Sequence, residues 1–107
     1  MATVIWSKRA HEAKDTLYFE GRIEFGVTIA NKTARKIQEI EKDLSRWPTS
    51  GFPEPLLRGY IPFYRSRHIN KRYKLLYWYD EENDYVVIED IWDTRRAPQN
   101  LTQRIMK

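Results

Sequence analysis

The segment spanning residues 60–96 constrains the fold most, because it has the pattern of three consecutive β-strands. The strand segments are YIPFYRSRHI, KRYKLLYWYD and DYVVIEDIWDTRR. They are rich in the aromatic and β-branched residues that favour a pleated, half-buried surface. Polar residues at Asn70-Lys71 and at positions 81–84 separate them and are typical of tight hairpin connections. The chain therefore predicts consecutive antiparallel strands over its second half.

Two helical patterns precede these strands, after a short apolar run at residues 3–6 that predicts a first strand. Ser7 is a good N-cap for the first helix, which we expect to end near Gly26. The second helix has apolar residues at steps of three and four positions, and Pro48 ends it. The apolar positions are Ala30, Ala34, Ile37, Ile40, Leu44 and Trp47. Two helices joined at a glycine predict a helical hairpin with one apolar side, which a sheet must cover.

The order of elements predicts an α+β fold in a single domain over residues 1–107. We expect β-α-α-β-β-β, with the helical hairpin packed on one face of a mostly antiparallel sheet. Residues 49–57 have Gly51, Pro53 and Pro55 and are interpreted as a loop, from which Leu56 and Leu57 fold back onto the core. A short helix over residues 99–106 is possible but marginal, because it has few apolar side chains to bury.

Composition restricts the class of function only loosely. A formal net charge of +4 with a pI of about 9.4 is compatible with an anionic partner such as nucleic acid or an acidic protein. The chain has no cysteine and no apolar run near the ~20 residues that span a bilayer, so we expect a cytoplasmic protein without a membrane partner. Glu89, Asp90 and Asp93 lack the further ligands that a magnesium site needs, so we expect no metal and no cofactor.

Cations are concentrated in the first two central strands. Arg65 and Arg67 share one face of their strand, because they are two residues apart. We hypothesise that this face also carries Lys74, so that three cations converge on one patch; side chains on opposite sides of the sheet would refute this. The alternative is that the two arginines pair across strands with Glu89, Asp90 or Asp93.

A family resemblance rests on several motifs in a fixed order. The helical part has Phe25-Gly26, an alanine-rich second helix, Leu44, Trp47-Pro48 and Gly51. The strand part is FYRSRHINKRYKLLYWYDEENDYVVIEDIWDTRRAP, with an Arg-x-Arg strand, a basic-aromatic strand, an acidic turn and a terminal arginine before proline. Nearly the whole chain resembles the RelE/ParE superfamily, the toxin components of bacterial type II toxin–antitoxin modules. The resemblance implies either mRNA cleavage in the ribosomal A site, as in RelE-like members, or poisoning of DNA gyrase, as in ParE-like members. It also implies a cognate antitoxin as partner.

The resemblance further implies a site of basic residues on the open face of the sheet. The catalytic candidates are Arg65, Arg67, Lys74 and Arg95. RNA cleavage without a metal needs a base, an acid and positive charge at the phosphate. Arginine is a poor base, so Lys74 is the candidate base, with His68 or Tyr64 as acid. The candidate RNA-binding residues are Lys71, Arg72, Trp78, Trp92 and Arg96, with the tryptophans as stacking platforms.

Ordinary structural roles remain open for the same residues: Lys74 as a solvated lysine, His68 as a surface residue and Trp78 as part of the core and its rim. The C-terminal tyrosine of some mRNA-cutting members also has no counterpart after Arg96. The proline-rich loop and the long helix pair are more similar to the ParE side. The primary prediction is a ribosome-dependent, metal-independent mRNA endonuclease. A gyrase inhibitor without enzymatic activity is the alternative, and an inactive antitoxin-binding module is the third possibility.

Overall fold

A computed structural model describes residues 1–106, with Met106 described by its backbone alone. The strands are β1 (Thr3–Trp6), β2 (Phe52–Pro53), β3 (Tyr64–His68), β4 (Tyr73–Asp80) and β5 (Tyr85–Asp93), and the helices are α1 (Lys8–Phe25), α2 (Val27–Arg46) and α3 (Pro98–Met106). The sheet order is β1-β5-β4-β3-β2, with β1 parallel to β5 and the remaining pairs antiparallel. The predicted α+β fold is confirmed. No helix in the described part of the chain has the length and apolar character to cross a membrane.

The helical hairpin forms where the sequence places it. The Ser7 hydroxyl accepts a hydrogen bond from the backbone N–H of Ala10 at 3.0 Å and caps α1. Gly26 joins the helices with a φ of 91°, a conformation that favours glycine. One expectation is wrong: Trp47 is exposed and does not continue the apolar stripe of α2. It lies beyond the last helical residue with φ −130° and ψ 73°, so its side chain leaves the helical periodicity.

The two faces of the sheet carry two separate apolar cores. The hairpin face is covered by α1 and α2, and its core includes Ile37, Ile40, Leu44, Leu75, Tyr77, Val86 and Ile88. The opposite side, which we call the outer face, has a second cluster of Leu57, Tyr64, Leu76, Trp92 and Leu101. In β4, Leu75 and Tyr77 point to the hairpin face, whereas Lys74 and Leu76 point to the outer face. Side chains of this strand therefore alternate between the two faces, as expected of a β-strand.

The C-terminal helix corrects one sequence expectation. α3 covers part of the outer face, and its Leu101 is fully buried in the second cluster. The short helix expected here is present, and only the expectation that it has little to bury is wrong, because a local pattern does not show how much apolar surface another part of the chain leaves open. Arg104 fixes the same helix through two hydrogen bonds to Asp90, at 2.8 and 3.1 Å.

Residues 49–57 are more ordered than the predicted loop. Phe52 and Pro53 form β2 against β3, and a short 3-10 turn follows at Pro55–Leu57. Leu57 is buried, as expected. The first central strand is shorter than predicted and begins at Tyr64, since Pro62 has no N–H to donate to a strand ladder.

A bulge in β5 decides which of its side chains reach the outer face. Leu76 pairs with Asp90 but Tyr77 pairs with Ile88, so Glu89 is an extra residue in this strand. Without the bulge, the strict alternation of β5 would not place both Ile88 and Ile91 in the hairpin-face core. The bulge thereby allows Asp90 to face α3 on the outer side.

Candidate functional site

The strand register separates the predicted catalytic cations. Arg65 pairs with Tyr77 and Arg67 pairs with Leu75, and both partners belong to the hairpin-face core. Lys74 instead pairs with His68 and lies on the outer face. Directly paired residues point to the same side of a sheet, so Arg65 and Arg67 lie on the opposite side from Lys74. The hypothesis of a three-cation patch is therefore wrong.

The two arginines fasten the segment after α2 to the sheet. Arg67 forms an ion pair with Asp43 at 3.2 Å and donates a longer hydrogen bond of 3.4 Å to the Ser50 hydroxyl. Arg65 donates a hydrogen bond of 3.0 Å to the carbonyl oxygen of Gly51. These contacts give both side chains a structural role on the hairpin side, beside the segment that leads into β2.

The carboxylates of β5 have other partners than these arginines. Asp90 is fully buried and accepts both hydrogen bonds from Arg104. Glu89 accepts a hydrogen bond of 2.8 Å from the indole N–H of Trp78. The predicted cross-strand pairing of Arg65 and Arg67 with these acids is therefore also wrong.

Asp93 forms a small surface network with two arginines. Arg72 and Arg95 each place a guanidinium nitrogen 3.4 Å from its carboxylate, and the Arg95 backbone N–H donates to it at 3.0 Å. Partial burial opposes ionisation, but the hydrogen bonds from Arg95 and the charges of Arg95 and Arg72 prevail and lower the pKa of Asp93 below its ordinary value. Arg95, a predicted catalytic residue, is thereby held by Asp93, which pairs in register with the core-facing residue Tyr73.

A buried ion pair on the outer face involves a residue that the sequence reasoning missed. The Lys74 ammonium group donates hydrogen bonds to both carboxylate oxygens of Glu54, with 2.7 Å to Oε2. The Glu54 side chain is fully buried and that of Lys74 is 11% exposed, so Lys74 is not the ordinary solvated lysine of the alternative reading. The Glu54 backbone N–H donates to the Tyr64 carbonyl at 3.0 Å, which places the carboxylate on this face. The sequence did hold a signal for Glu54, because it is a single carboxylate between Pro53 and Pro55 in an otherwise apolar segment.

Two other predicted side chains are enclosed by the second cluster. Trp92 is 2% exposed beneath α3, so its ring is inaccessible for stacking in this structure and that expectation is wrong. Tyr64 is also buried, and burial raises its pKa, with a further increase from the negative charge of Glu89. Both effects make Tyr64 a weaker acid. Trp78 is half-buried at the margin of the cluster.

The remaining predicted RNA-binding cations lie just before the start of β4 and just after the end of β5. Lys71 is exposed in the turn between β3 and β4, and its carbonyl accepts a hydrogen bond of 3.3 Å from the Thr94 hydroxyl. The Arg72 guanidinium lies 5.0 Å from the ring of Tyr73. Arg96 lies 5.8 Å from the ring of Trp92, whose partner in the sheet is Lys74.

One part of the outer face places the exposed His68 beside the buried ion pair of Lys74 and Glu54. We call Phe52, Ser66, His68 and Lys74 the polar end of the outer face. His68 is exposed and pairs with Lys74. The buried Ser66 pairs with the exposed Phe52 on one side and with the buried Leu76 on the other. Lys74 supplies an ammonium group held in place by Glu54, and His68 supplies an imidazole, the side chain most often used for general acid–base catalysis. This combination suits the binding of a phosphate next to a proton-transfer group.

Comparisons with protein-family models and with curated proteins gave no match. Solved structures do match. The toxin–antitoxin complex RelBE2 of Mycobacterium tuberculosis is 27% identical, with a TM-score of 0.59 over 86% of this chain and 96% of that chain. The heterotetrameric YoeB-YefM complex of Staphylococcus aureus is 26% identical, with a TM-score of 0.55 over 84% and 93%. The chromosomal ParDE system of P. aeruginosa has a TM-score of 0.67 at 19% identity, over 87% and 96%. The last match shows a shared fold alone.

Proposed function

Since the chain belongs to the RelE/ParE superfamily, the toxins of type II toxin–antitoxin modules, we propose that it cuts ribosome-bound mRNA without a metal ion. The polar end of the outer face is the proposed site. The alternative activity of the superfamily, inhibition of DNA gyrase, is treated below as the second candidate.

The observation that carries this proposal is the Lys74 ammonium group, held by the buried Glu54 beside the exposed His68. Cleavage through the 2′-hydroxyl group of RNA builds negative charge on the phosphate in the transition state, and a fixed cation lowers the energy of that state. The ion pair with Glu54 orients the ammonium group in advance, so little reorganisation is needed when the phosphate arrives.

The geometry changes the roles expected from the sequence. With two of its hydrogen bonds committed to Glu54, Lys74 is better placed to stabilise the phosphate than to act as the base. We assign proton transfer to His68, which is exposed and adjacent in register. Tyr64 is the weaker candidate for acid catalysis, because burial raises its pKa. Arg96, near Trp92, is the additional cation proposed to contact the RNA backbone.

Arg65, Arg67 and Arg95 are not assigned to the phosphate. Arg65 and Arg67 lie on the hairpin face, and the Arg95 guanidinium contacts Asp93. We propose that Arg65 and Arg67 act through the fold, by fixing the segment that delivers Glu54 to Lys74.

A cognate antitoxin is the proposed protein partner. Two of the similar structures are toxin–antitoxin complexes, which supports a comparable partner here. Because the chain carries a net charge of +4, an acidic antitoxin segment is favoured by charge. We expect its affinity to fall as the salt concentration rises.

Cleavage of ribosome-bound mRNA in a translation extract tests the enzyme proposal. His68→Gln leaves the core untouched and should lower the cleavage rate by ~10²-fold or more, the usual contribution of a general acid or base. Lys74→Met should lower it as well, provided that the variant is folded at the assay temperature. Arg95→Gln is the control, because it removes a cation that is proposed not to contact the phosphate. Equal activity of His68→Gln and the parent chain would remove His68 from the mechanism.

Inhibition of DNA gyrase is the second candidate function. The position of α3 on the outer face favours it. This helix covers Trp92, Leu76 and Tyr64, which reduces the open area of the outer face that a nucleic-acid strand would need. A well-folded chain that leaves ribosome-bound mRNA intact but traps gyrase–DNA complexes would replace the endonuclease proposal.

A further inference from the structure

Phe52 is the most exposed aromatic residue in the described part of the chain. It is 73% exposed, although it belongs to β2, at the edge of the sheet. Phe52 pairs with Ser66, and Ser66 pairs with Leu76, whose side chain lies on the outer face. Directly paired residues point to the same side of a sheet, so the ring of Phe52 stands on the outer face.

The ring of Phe52 stands close to the proposed site for the phosphate. His68 follows Ser66 by two residues in β3, so it points to the same face and is the diagonal neighbour of Phe52. Diagonal neighbours in an antiparallel pair have side chains ~7–8 Å apart, a separation that one nucleotide can span. Lys74 pairs with His68 on its other side. A nucleotide with its phosphate at Lys74 and His68 can therefore place a base against Phe52.

The other aromatic side chains of the outer face are less accessible to a base. Trp92 and Tyr64 are buried in the second cluster. Trp78 is half-buried, and its indole N–H donates a hydrogen bond to Glu89. Phe52 is therefore the best-exposed stacking platform on this face, in contrast to the tryptophans expected from the sequence.

Contacts on both sides of Phe52 hold its backbone in place. The Gly51 N–H donates a buried hydrogen bond of 2.8 Å to the Tyr77 hydroxyl. On the other side, the buried Glu54 carboxylate accepts hydrogen bonds from Lys74. The same short segment thus carries both the ring and the partner of the phosphate-binding cation, so their separation is set before RNA binds.

We propose that Phe52 is the stacking platform for the nucleobase next to the scissile phosphate of the mRNA. The proposal rests on the mRNA cleavage proposed above and adds a residue that selects unpaired RNA. An aromatic ring stacks on any base whose face is free, so Phe52 contributes affinity for a single strand rather than a choice of sequence. The polar neighbours of the ring, Ser66 and His68, suit a nucleotide better than the apolar side chain of a protein partner.

Cleavage of ribosome-bound mRNA over a range of programmed-ribosome concentrations tests the role of the ring. Phe52→Ala should lower kcat/KM by about tenfold, mainly through KM, because stacking contributes to binding. Phe52→Trp should restore the parent value. Phe52→Leu is apolar but has no π face, so it should not restore it. Because Phe52 is exposed, all three variants should keep the circular dichroism spectrum of the parent.

Phe25→Ala is the matched control. Phe25 has the same ring and is 58% exposed, but it is the last residue of α1, in the helical hairpin on the other side of the sheet. This substitution should leave both kcat and KM unchanged. An equal loss in Phe25→Ala and Phe52→Ala would show that the loss does not come from stacking, and it would overturn the proposal.

Photo-crosslinking separates the stacking proposal from the cleavage proposal. The probe is an mRNA with 5-iodouridine in the codon at the ribosomal A site, irradiated with the chain bound, and mass spectrometry identifies the crosslinked residue. We expect the crosslink at Phe52, and Phe52→Ala should remove it. A crosslink at Phe52 without cleavage would overturn the cleavage proposal alone.

The reverse outcomes would overturn the assignment of Phe52. If the parent chain cuts mRNA but the crosslink is absent or maps elsewhere, the stacking proposal fails and the cleavage proposal stands. The same conclusion follows if Phe52→Ala or Phe52→Leu is as active as the parent, and weakened antitoxin binding by Phe52→Ala would then make the ring a protein contact. A folded chain that neither cuts nor crosslinks to the mRNA would overturn both proposals.

Discussion

The buried ion pair between Lys74 and Glu54 allows a quantitative test of what holds the outer face together. Lys74→Met keeps the length of the side chain and removes its charge, so that the fully buried Glu54 carboxylate loses its partner. Breaking a buried pair from one side costs ~3–5 kcal/mol of the free energy of unfolding. At ~4–8 °C per kcal/mol for a domain near this size, a loss of ~3 kcal/mol lowers the Tm by ~12–24 °C.

The opposite substitution should cost less, because the two partners differ in exposure. Glu54→Gln leaves an ammonium group on a side chain that is 11% exposed and flexible enough to turn its end toward water. We expect a loss of ~1–2 kcal/mol in the free energy of unfolding. In the double variant neither charge is buried alone, so its loss should be smaller than the sum of the two single losses by ~2 kcal/mol.

Urea denaturation of the four proteins, followed by tryptophan fluorescence at neutral pH, measures this cycle. The slope of the transition shows whether the variants unfold with the same change in exposed surface. Additive losses within ~0.5 kcal/mol, or a Lys74→Met variant that loses less than ~1 kcal/mol, would refute the reasoning. A thermal unfolding curve of Lys74→Met gives the temperature up to which this variant remains folded, which the cleavage assay requires.

Three further predictions follow from local contacts. Gly51→Ala should destabilise the fold by ~1–3 kcal/mol in urea denaturation, because the new methyl carbon would lie 2.6 Å from the Tyr77 hydroxyl. Gly21→Ala, whose methyl carbon has ordinary contacts, should stabilise the fold by up to ~1 kcal/mol. A Gly51→Ala variant more stable than Gly21→Ala would contradict this packing argument. Leu101→Ala should lower the free energy of unfolding by ~2–5 kcal/mol or detach α3 from the sheet, because Leu101 is fully buried. Unchanged stability together with unchanged hydrogen exchange in α3 would show that the helix does not depend on this contact. Because the pKa of Asp93 is lower in the folded chain, ionised Asp93 stabilises the fold above the pKa of the unfolded chain, and this stabilisation is lost as the pH falls through the folded pKa. Asp93→Asn should therefore lower the free energy of unfolding by up to ~1 kcal/mol at pH 7 and by less at pH 2–3. An equal loss at both pH values would exclude this ionisation effect.

The fold was predictable from the sequence because its elements depend on local patterns. The steps of three and four in α2, the cap at Ser7 and the glycine between the helices each describe one element and its end. Alternation likewise showed that Arg65 and Arg67 share one face of β3. Trp47 shows the limit of this reasoning, because one residue beyond the helix end no longer follows the helical period.

The candidate site was less predictable, because it depends on which residues of distant strands lie opposite one another. Arg65 and Lys74 each have a definite face within their own strand, but a shift of one residue in the pairing would exchange the faces. The buried Glu54 was missed for a similar reason. Its function as the partner of Lys74 requires β2 to pair with β3, and a two-residue strand has no recognisable pattern of its own.

The sequence by itself determined the helical hairpin, the consecutive strands and the α+β class, since hydrophobic period and turn chemistry act over a few neighbouring residues. Only the tertiary structure decided that Arg65 and Arg67 lie away from Lys74, that Glu54 holds Lys74 in a buried ion pair, and that α3 covers Trp92. The physical reason is that strand register and helix docking are fixed by the total burial and pairing of segments far apart in the chain. No single segment contains that information, so the chemistry of the outer face emerges only when the sheet is assembled.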